Sequence, residues 1–219
     1  MILGLDLSTK LVGCAILDKT EVTTTKYGDS EIVRQKRKLL STTLWDVGDK
    51  KEFPDSYIKA EAIASELYQL SQAPQNKRIS HIYVEDYVRG VGGRFVAHNM
   101  NVLLDLARFN GLICWNCYQI FGIKPILVNA ASARANYGIS FPRGTKGVAR
   151  KKLIVQNVIE KEGDKFEWSY NRNGVNYSKG VDDRADAVVT ARFGEFLERN
   201  KDNEGILTAK MKIDNLKSI

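Results

Sequence analysis

The chain has 219 residues, 43% of them hydrophobic, which is apolar material for one well-buried domain and too little for two. Its most apolar region, 102–120, is broken by Asp105, Arg108 and Asn110, so it is no bilayer span, and Asp6 inside the first apolar run is unlike a signal peptide. A formal charge of +7 favours polyanionic partners, and a soluble intracellular protein is expected.

Residues 1–7 and 12–17 are apolar runs separated by Ser8, Thr9, Lys10 and Gly13, which predicts two strands joined by a turn. Segments 22–27 and 38–47, β-branched or alternating, extend this to an antiparallel three-stranded meander. Pro54, Asp55 and Ser56 then open a helix over 57–71, with Ile58, Ala62, Leu67 and Leu70 near helical spacing. The apolar run 79–84 ends at Glu85 and Asp86, the pattern of a central parallel strand with polar groups at its tip.

A glycine- and arginine-containing loop at 89–94 leads into a long helix expected over 95–121. Cys114 and Cys117 lie on that helix; with Cys14 they make an odd count, and neither a second cysteine pair nor zinc-type spacing to His81 or His98 exists. Reduced, packed thiols are expected. Residues 124–128 read as a strand, a short helix capped by Asn129 or Ser132 runs to 137, and further helices cover 146–162 and, from Asp182 or Asp183, the stretch to 199. Between the last two, 163–180 carries Phe166, Trp168, Tyr170 and Tyr177 among Lys165, Arg172 and Lys179, and reads either as a hairpin or as a nucleic-acid-binding loop. This order places the chain in the α/β class, a mixed sheet covered by helices, with a polar tail from 200 to 219.

Four carboxylates fall where such a fold can gather them. Asp6 sits within an apolar strand, where an unpaired charge costs several kcal/mol unless a metal or hydrogen bonds offset it. Glu85 ends the fourth strand, while Asp183 and Asp186 are three apart at a helix N-terminus, on one face. Phosphodiester hydrolysis supplies a reason for the set: two Mg²⁺ ions, held roughly 3.5–4 Å apart by hard oxygen ligands, activate water and stabilise the leaving oxygen. Taken singly, each acid has an ordinary reading as strand end, edge residue or helix cap; Asp182, four residues from Asp186, competes with Asp183 for the same role.

At these residues the chain resembles the RuvC family of Holliday-junction resolvases. G-L-D-L-S-T-K-L-V-G at 4–13 is similar to that family's first motif, V-E-D at 84–86 to its second, and D-R-A-D-A at 183–187 to its last. G-V-A-R-K at 147–151 resembles the segment whose lysine lies near the scissile phosphate, here Lys151. The four motifs span most of the chain, although Leu7 and Ser8 replace the usual proline and glycine and 163–180 looks like an insertion.

The resemblance implies an RNase H-like fold over 1–199, built on a central five-stranded mixed sheet of three antiparallel and then two parallel strands, flanked by helices. It implies catalytic, metal-binding Asp6, Glu85, Asp183 and Asp186 with Lys151 beside them, Mg²⁺ or Mn²⁺ as cofactor with two ions per site, and a homodimer that cuts branched DNA symmetrically, its interface sought on the 95–121 helix. DNA contacts are expected from Tyr87, by stacking, and from Arg89, Arg94, Lys146, Arg150 and Lys151 at phosphates. A flap, fork or RNase H-type nuclease would use the same chemistry, and a basic DNA-binding protein with inactive carboxylates is the non-enzyme alternative. Sugar kinases and actin-like ATPases open with a similar strand and turn, but they need a second lobe for which this chain lacks the length.

Overall fold

The computed structural model describes residues 1–27, 30–86 and 100–201, with the side chains of 19–35 and of Met100 set aside. Five strands form one sheet in the order β3-β2-β1-β4-β5. These are β1 (Ile2–Leu7), β2 (Leu11–Tyr27), β3 (Ser30–Asp46), β4 (His81–Glu85) and β5 (Ile126–Val128). The first three pair antiparallel, and β4 joins β1, then β5 joins β4, in parallel, as expected.

Two sequence expectations shift. Segment 22–27 is the continuation of β2, past an irregularity near Leu17 and Thr20, and forms no separate strand. Gly13 lies inside β2 opposite Asp6; the turn is made by Ser8, whose hydroxyl donates to the Leu11 carbonyl and accepts from the Leu11 amide, both at 2.9 Å.

The helices are α1 (Ser56–Gln72), α2 (Met100–Phe121), α3 (Ala130–Asn136), α4 (Gly147–Glu162) and α5 (Val181–Arg199). Asp55 caps α1 by accepting from the amides of Tyr57 and Ile58, and Asn129 caps α3 by accepting from Ser132, each such cap contributing about 1 kcal/mol. Residues 95–99 of the expected long helix lie outside the described residues.

The pleat of β1 sorts its side chains between two cores, because alternate residues face opposite sides. Leu3, Leu5 and Leu7 pack with Ile82, Val84 and the apolar faces of α1 and α2. Ile2 packs on the opposite side, with Tyr83, Val128 and residues of α3, α4 and α5. Helix α5 is the centre of that side, buried almost continuously from Ala185 to Glu195. It lies so close to the sheet that a Cβ on Gly4 would stand 2.6 Å from the Ala187 carbonyl oxygen and from the Ala191 methyl.

Burying α5 brings charge inside, and the charge is paired. Arg192 donates to both oxygens of Glu162 on α4, at 3.0 and 2.6 Å, and to Glu195 at 2.8 Å, while Tyr137 also donates to Glu162. Burial alone would raise the Glu162 carboxyl, but the hydrogen bonds and charge of Arg192 hold it below the usual range. Among the described residues, no helix is long and apolar enough to cross a membrane.

Candidate active site

The same pleat that aims Ile2 at α5 also aims Asp6 there, four residues along the strand. On β4, Tyr83 faces α5 and Glu85 follows two residues later. The parallel register pairs Leu5 with Val84, so Asp6 and Glu85 are the next neighbours on adjacent strands. Asn110 on α2 donates to the Glu85 carbonyl at 3.1 Å and fixes the strand end from the other side of the sheet.

Asp183 and Asp186 arrive from the first two turns of α5. Their height above the sheet is set at Gly13, where a Cβ would stand 2.1 Å from the Asp183 carbonyl oxygen, so only glycine lets the helix start this close to Asp6. Asp182 turns aside and forms an ion pair with Lys151 of α4. The two aspartates differ in their partners: the charge of Asp183 bears on Asp6, while Asp182 is ion-paired with the lysine.

Sequence reasoning missed Arg134. It extends from α3 between two of the acids, with Nε donating to Asp186 at 2.9 Å and the terminal nitrogen reaching Glu85 at 3.4 Å. Helix α3 follows β5 at once, and Val128 of β5 pairs with Glu85, so the topology delivers this arginine to the end of β4. One signal was present: Arg134 is the only charged residue between Lys124 and Arg143.

One arginine does not neutralise four acids. Asp6 keeps some contact with solvent yet is ringed by protein; burial, then the charges of Glu85, Asp186 and Asp183, push its carboxyl well above the usual range. Glu85 is pushed up to about 7 by burial and by Asp186, against the pull of Arg134. Asp183 is pushed up to about 6 by burial and by Asp182, against Lys151. Asp186 is raised by burial despite its bonds to Arg134.

Such mutual elevation is the mark of carboxylates gathered with too little positive charge. As the side chains stand, no three His, Cys, Asp or Glu among the described residues close on one point as a ligand set, and the Arg134 guanidinium lies between Glu85 and Asp186. The donor chemistry fits a hard divalent cation, since desolvated carboxylate oxygens are what such ions select and a cation would relieve the remaining repulsion.

Of the expected phosphate-contacting residues, Lys151 is paired with Asp182. Lys146 precedes α4, and Arg150 and Lys151 lie exposed in its first two turns, with the Arg150 guanidinium 4.1 Å from the centre of the Phe141 ring. Tyr87, Arg89 and Arg94 lie outside the described residues. The cysteines behave as packing: Cys117 is buried in the core, and the Cys114 thiol donates to Asn110 at 3.5 Å, with burial raising both thiols above their ordinary range.

The fold defined by this sheet order and these flanking helices is RNase H-like, in the form found in RuvC. The structure of Thermus thermophilus RuvC superposes with a TM-score of 0.51 at 13% identity, over 90% of this chain and 95% of that one. T. thermophilus RuvC in complex with a Holliday junction substrate gives 0.55 at 12% identity, over 90% and 94%. The yeast mitochondrial Holliday junction resolvase Ydc2 gives 0.46 at 15% identity, over 87% and 75%. No protein-family model matches the sequence, and no curated protein sequence does. The resemblance read from the motifs thus extends to the architecture, at an identity where only architecture is comparable.

Proposed function

We propose that the chain is a metal-dependent, structure-selective endonuclease that resolves four-way DNA junctions by hydrolysing phosphodiester bonds symmetrically. The observation that supports this reading is that Asp6 and Glu85 are neighbours on adjacent strands, that the charges of Asp183 and Asp186 on α5 act on both, and that Arg134 pairs with Glu85 and Asp186. Residues 1–199 would form the nuclease domain and 200–219 its polar tail. Mg²⁺, or Mn²⁺ in its place, held by these four acids as two ions, would activate water and stabilise the leaving oxygen. Lys151, kept charged by Asp182, offsets negative charge developing on the transferring phosphoryl group. Arg134, paired with Glu85 and Asp186, holds the place for which a bound cation would compete.

Substrate DNA would lie across the basic start of α4, with Lys146, Arg150 and Lys151 at phosphates, and Tyr87, Arg89 and Arg94 reaching it from the segment after Glu85. Two opposed cuts need two sites, so the active form is a homodimer. Leu104, Gly111, Trp115 and Tyr118 recur at helical spacing along the exposed side of α2, three of them large and solvent-facing, and this stripe is the surface on which a second copy would pack.

The test is a cleavage panel of four-way junction, flap, fork, linear duplex and RNA/DNA hybrid at one salt concentration with Mg²⁺ or Mn²⁺. Paired nicks in opposed strands of the junction are expected, and Asp6→Asn is expected to abolish cutting while leaving junction binding intact. Equal cutting of linear duplex would remove the resolvase assignment. Preference for flap, fork or hybrid would give the site to another nuclease of this fold, and binding without any cutting would give it to an inactive DNA-binding protein.

A further inference from the structure

Beside Lys151 and Asp182, the segment between α4 and α5 folds into a small hairpin whose use the acids do not explain. Tyr170 and Tyr177 form its one antiparallel bridge, with the Ser178 amide bonding to the Ser169 carbonyl at 2.8 Å and the Asn171 amide to the Asn176 carbonyl at 2.8 Å. It is anchored at both ends: Phe166 at its base is buried in the core, and Lys152 of α4 donates to the carbonyl of Val175 in its turn at 2.9 Å.

Three aromatic rings above that base are not buried. Tyr170 and Tyr177 stack with centroids 5.3 Å apart and planes 8° apart, and Trp168 meets both edge-on at 5.2 and 5.8 Å. Trp168 is 40% exposed and Tyr170 50%. Rings held this way by one another present flat apolar faces whose conformational freedom is already spent, so a ligand stacking on them loses little entropy. Cross-strand aromatic pairs also stabilise hairpins, but stability alone would not need a third ring on the outside.

The surroundings select the ligand. Tyr177 lines a cleft of about 240 Å³ with Val148, Lys151, Lys152 and Asp182, so the ring on which Tyr170 stacks borders the lysine paired with Asp182. Lys151, Lys152, Lys165, Arg172 and Lys179 stand against Asp46, Asp164, Glu167 and Asp182, with Lys179 paired to Asp46 and Lys151 to Asp182, a small positive surplus that suits a phosphate backbone better than an acidic or neutral apolar partner. Flat ring faces next to lysines are what an unpaired nucleobase and its flanking phosphates need, independently of base identity.

We propose that the 166–179 hairpin is a base-stacking platform on which Tyr170 and Trp168 receive an unpaired nucleobase of the DNA, while Lys151 and Lys152 hold the adjoining phosphates. The proposal rests on the nuclease reading only in taking DNA as the ligand. It makes the hairpin selective for substrates with unpaired or splayed bases beside the cutting site.

The test uses the full chain in EDTA with a single-stranded oligonucleotide and a four-way junction, each carrying 2-aminopurine, the junction with the probe at the branch. Quenching of the probe is expected on binding. Trp168→Ala/Tyr170→Ala is expected to abolish that quenching and weaken single-strand binding about tenfold, the size of one base–aromatic stack, while blunt duplex binding is unchanged. Tyr170→Phe should restore wild-type behaviour, and Tyr170→Leu, which keeps a cross-strand apolar contact, should fold but fail to quench. Unquenched probe with the wild-type protein, or unaltered quenching and affinity in the alanine and leucine variants, overturns the proposal. So does a change of oligomeric state without a change in quenching, which would assign the rings to a protein partner. Quenching that depends on the rings in a protein that cuts nothing in Mg²⁺ would defeat the nuclease reading and uphold the platform; cutting with ring-independent binding would do the reverse.

Discussion

The main chain of Asp183 rests directly on Gly13, so closely that a methyl group on the glycine would stand 2.1 Å from the Asp183 carbonyl oxygen. Gly13→Ala must therefore push the start of α5 away from β2, at an expected cost of about 1–3 kcal/mol, and carry Asp183 and Asp186 away from Asp6. Urea denaturation and the Mg²⁺-induced rise in melting temperature, measured on one sample, report the two effects. Wild-type values of both would mean that the helix is not seated through this contact.

Glu85 is expected to weaken the metal-free protein as pH rises. Its carboxyl is pushed up to about 7 in the folded chain, against about 4.5 when unfolded, so the folded state holds the proton longer. Stability then falls between those two values, and the full penalty is present above about 7. Glu85→Gln removes the ionisation and should raise stability at pH 8 in EDTA by on the order of 1–2 kcal/mol, discounted because Asp186 and Arg134 respond with it, with no gain at pH 4. A variant less stable than wild type at pH 8 would show that the Arg134 pair outweighs the burial and repulsion.

Arg134 bridges Glu85 and Asp186, and its loss should separate two consequences. Arg134→Ala leaves the acids without their shared cation, so the melting temperature in EDTA should drop, by the equivalent of about 3 kcal/mol if the pair behaves as a buried one. The deeper negative potential should also tighten Mg²⁺ binding, read as a larger stabilisation per added millimolar Mg²⁺. Calorimetric titration that returns weaker Mg²⁺ binding would count against a competitive role and in favour of one in which the arginine positions the ligands.

The exposed stripe on α2 predicts the oligomeric state. Trp115 is 59% exposed and Leu104 55%, on a helix whose other side is fully committed to the core. Trp115→Glu adds a charge where a second copy would pack and is expected to convert a dimer to a monomer in analytical ultracentrifugation, with little change in the monomer's own unfolding, since the ring contributes little to the chain's own core. A wild-type protein that sediments as a monomer at all concentrations tested would dispose of this interface.

The acids were legible in sequence because each carries a local cue that survives without coordinates. In β1, alternation of Ile2, Gly4 and Asp6 against Leu3, Leu5 and Leu7 is enough to place the aspartate on one face. Glu85 follows an apolar run, and Asp183 and Asp186 share a helix face by spacing alone. Arg134 carries no such cue beyond being a lone charge in an uncharged stretch, because its partners are 49 and 52 residues away. Gly13 was misread for a related reason: a glycine near a turn and a glycine under a helix look the same until the helix is in place.

Periodicity, caps and element order therefore determined the mixed sheet covered by helices and the side of β1 on which Asp6 stands, since these depend on residues near in sequence, whereas the count of five strands followed from the family resemblance. Tertiary structure alone decided that Asp182 takes Lys151 and that Arg134 pairs with both Glu85 and Asp186. Those outcomes depend on the rotation and height of α5 above the sheet, which are fixed by steric contacts at Gly4 and Gly13 across more than 160 residues of chain. Local sequence sets which faces exist; only close packing sets how they meet.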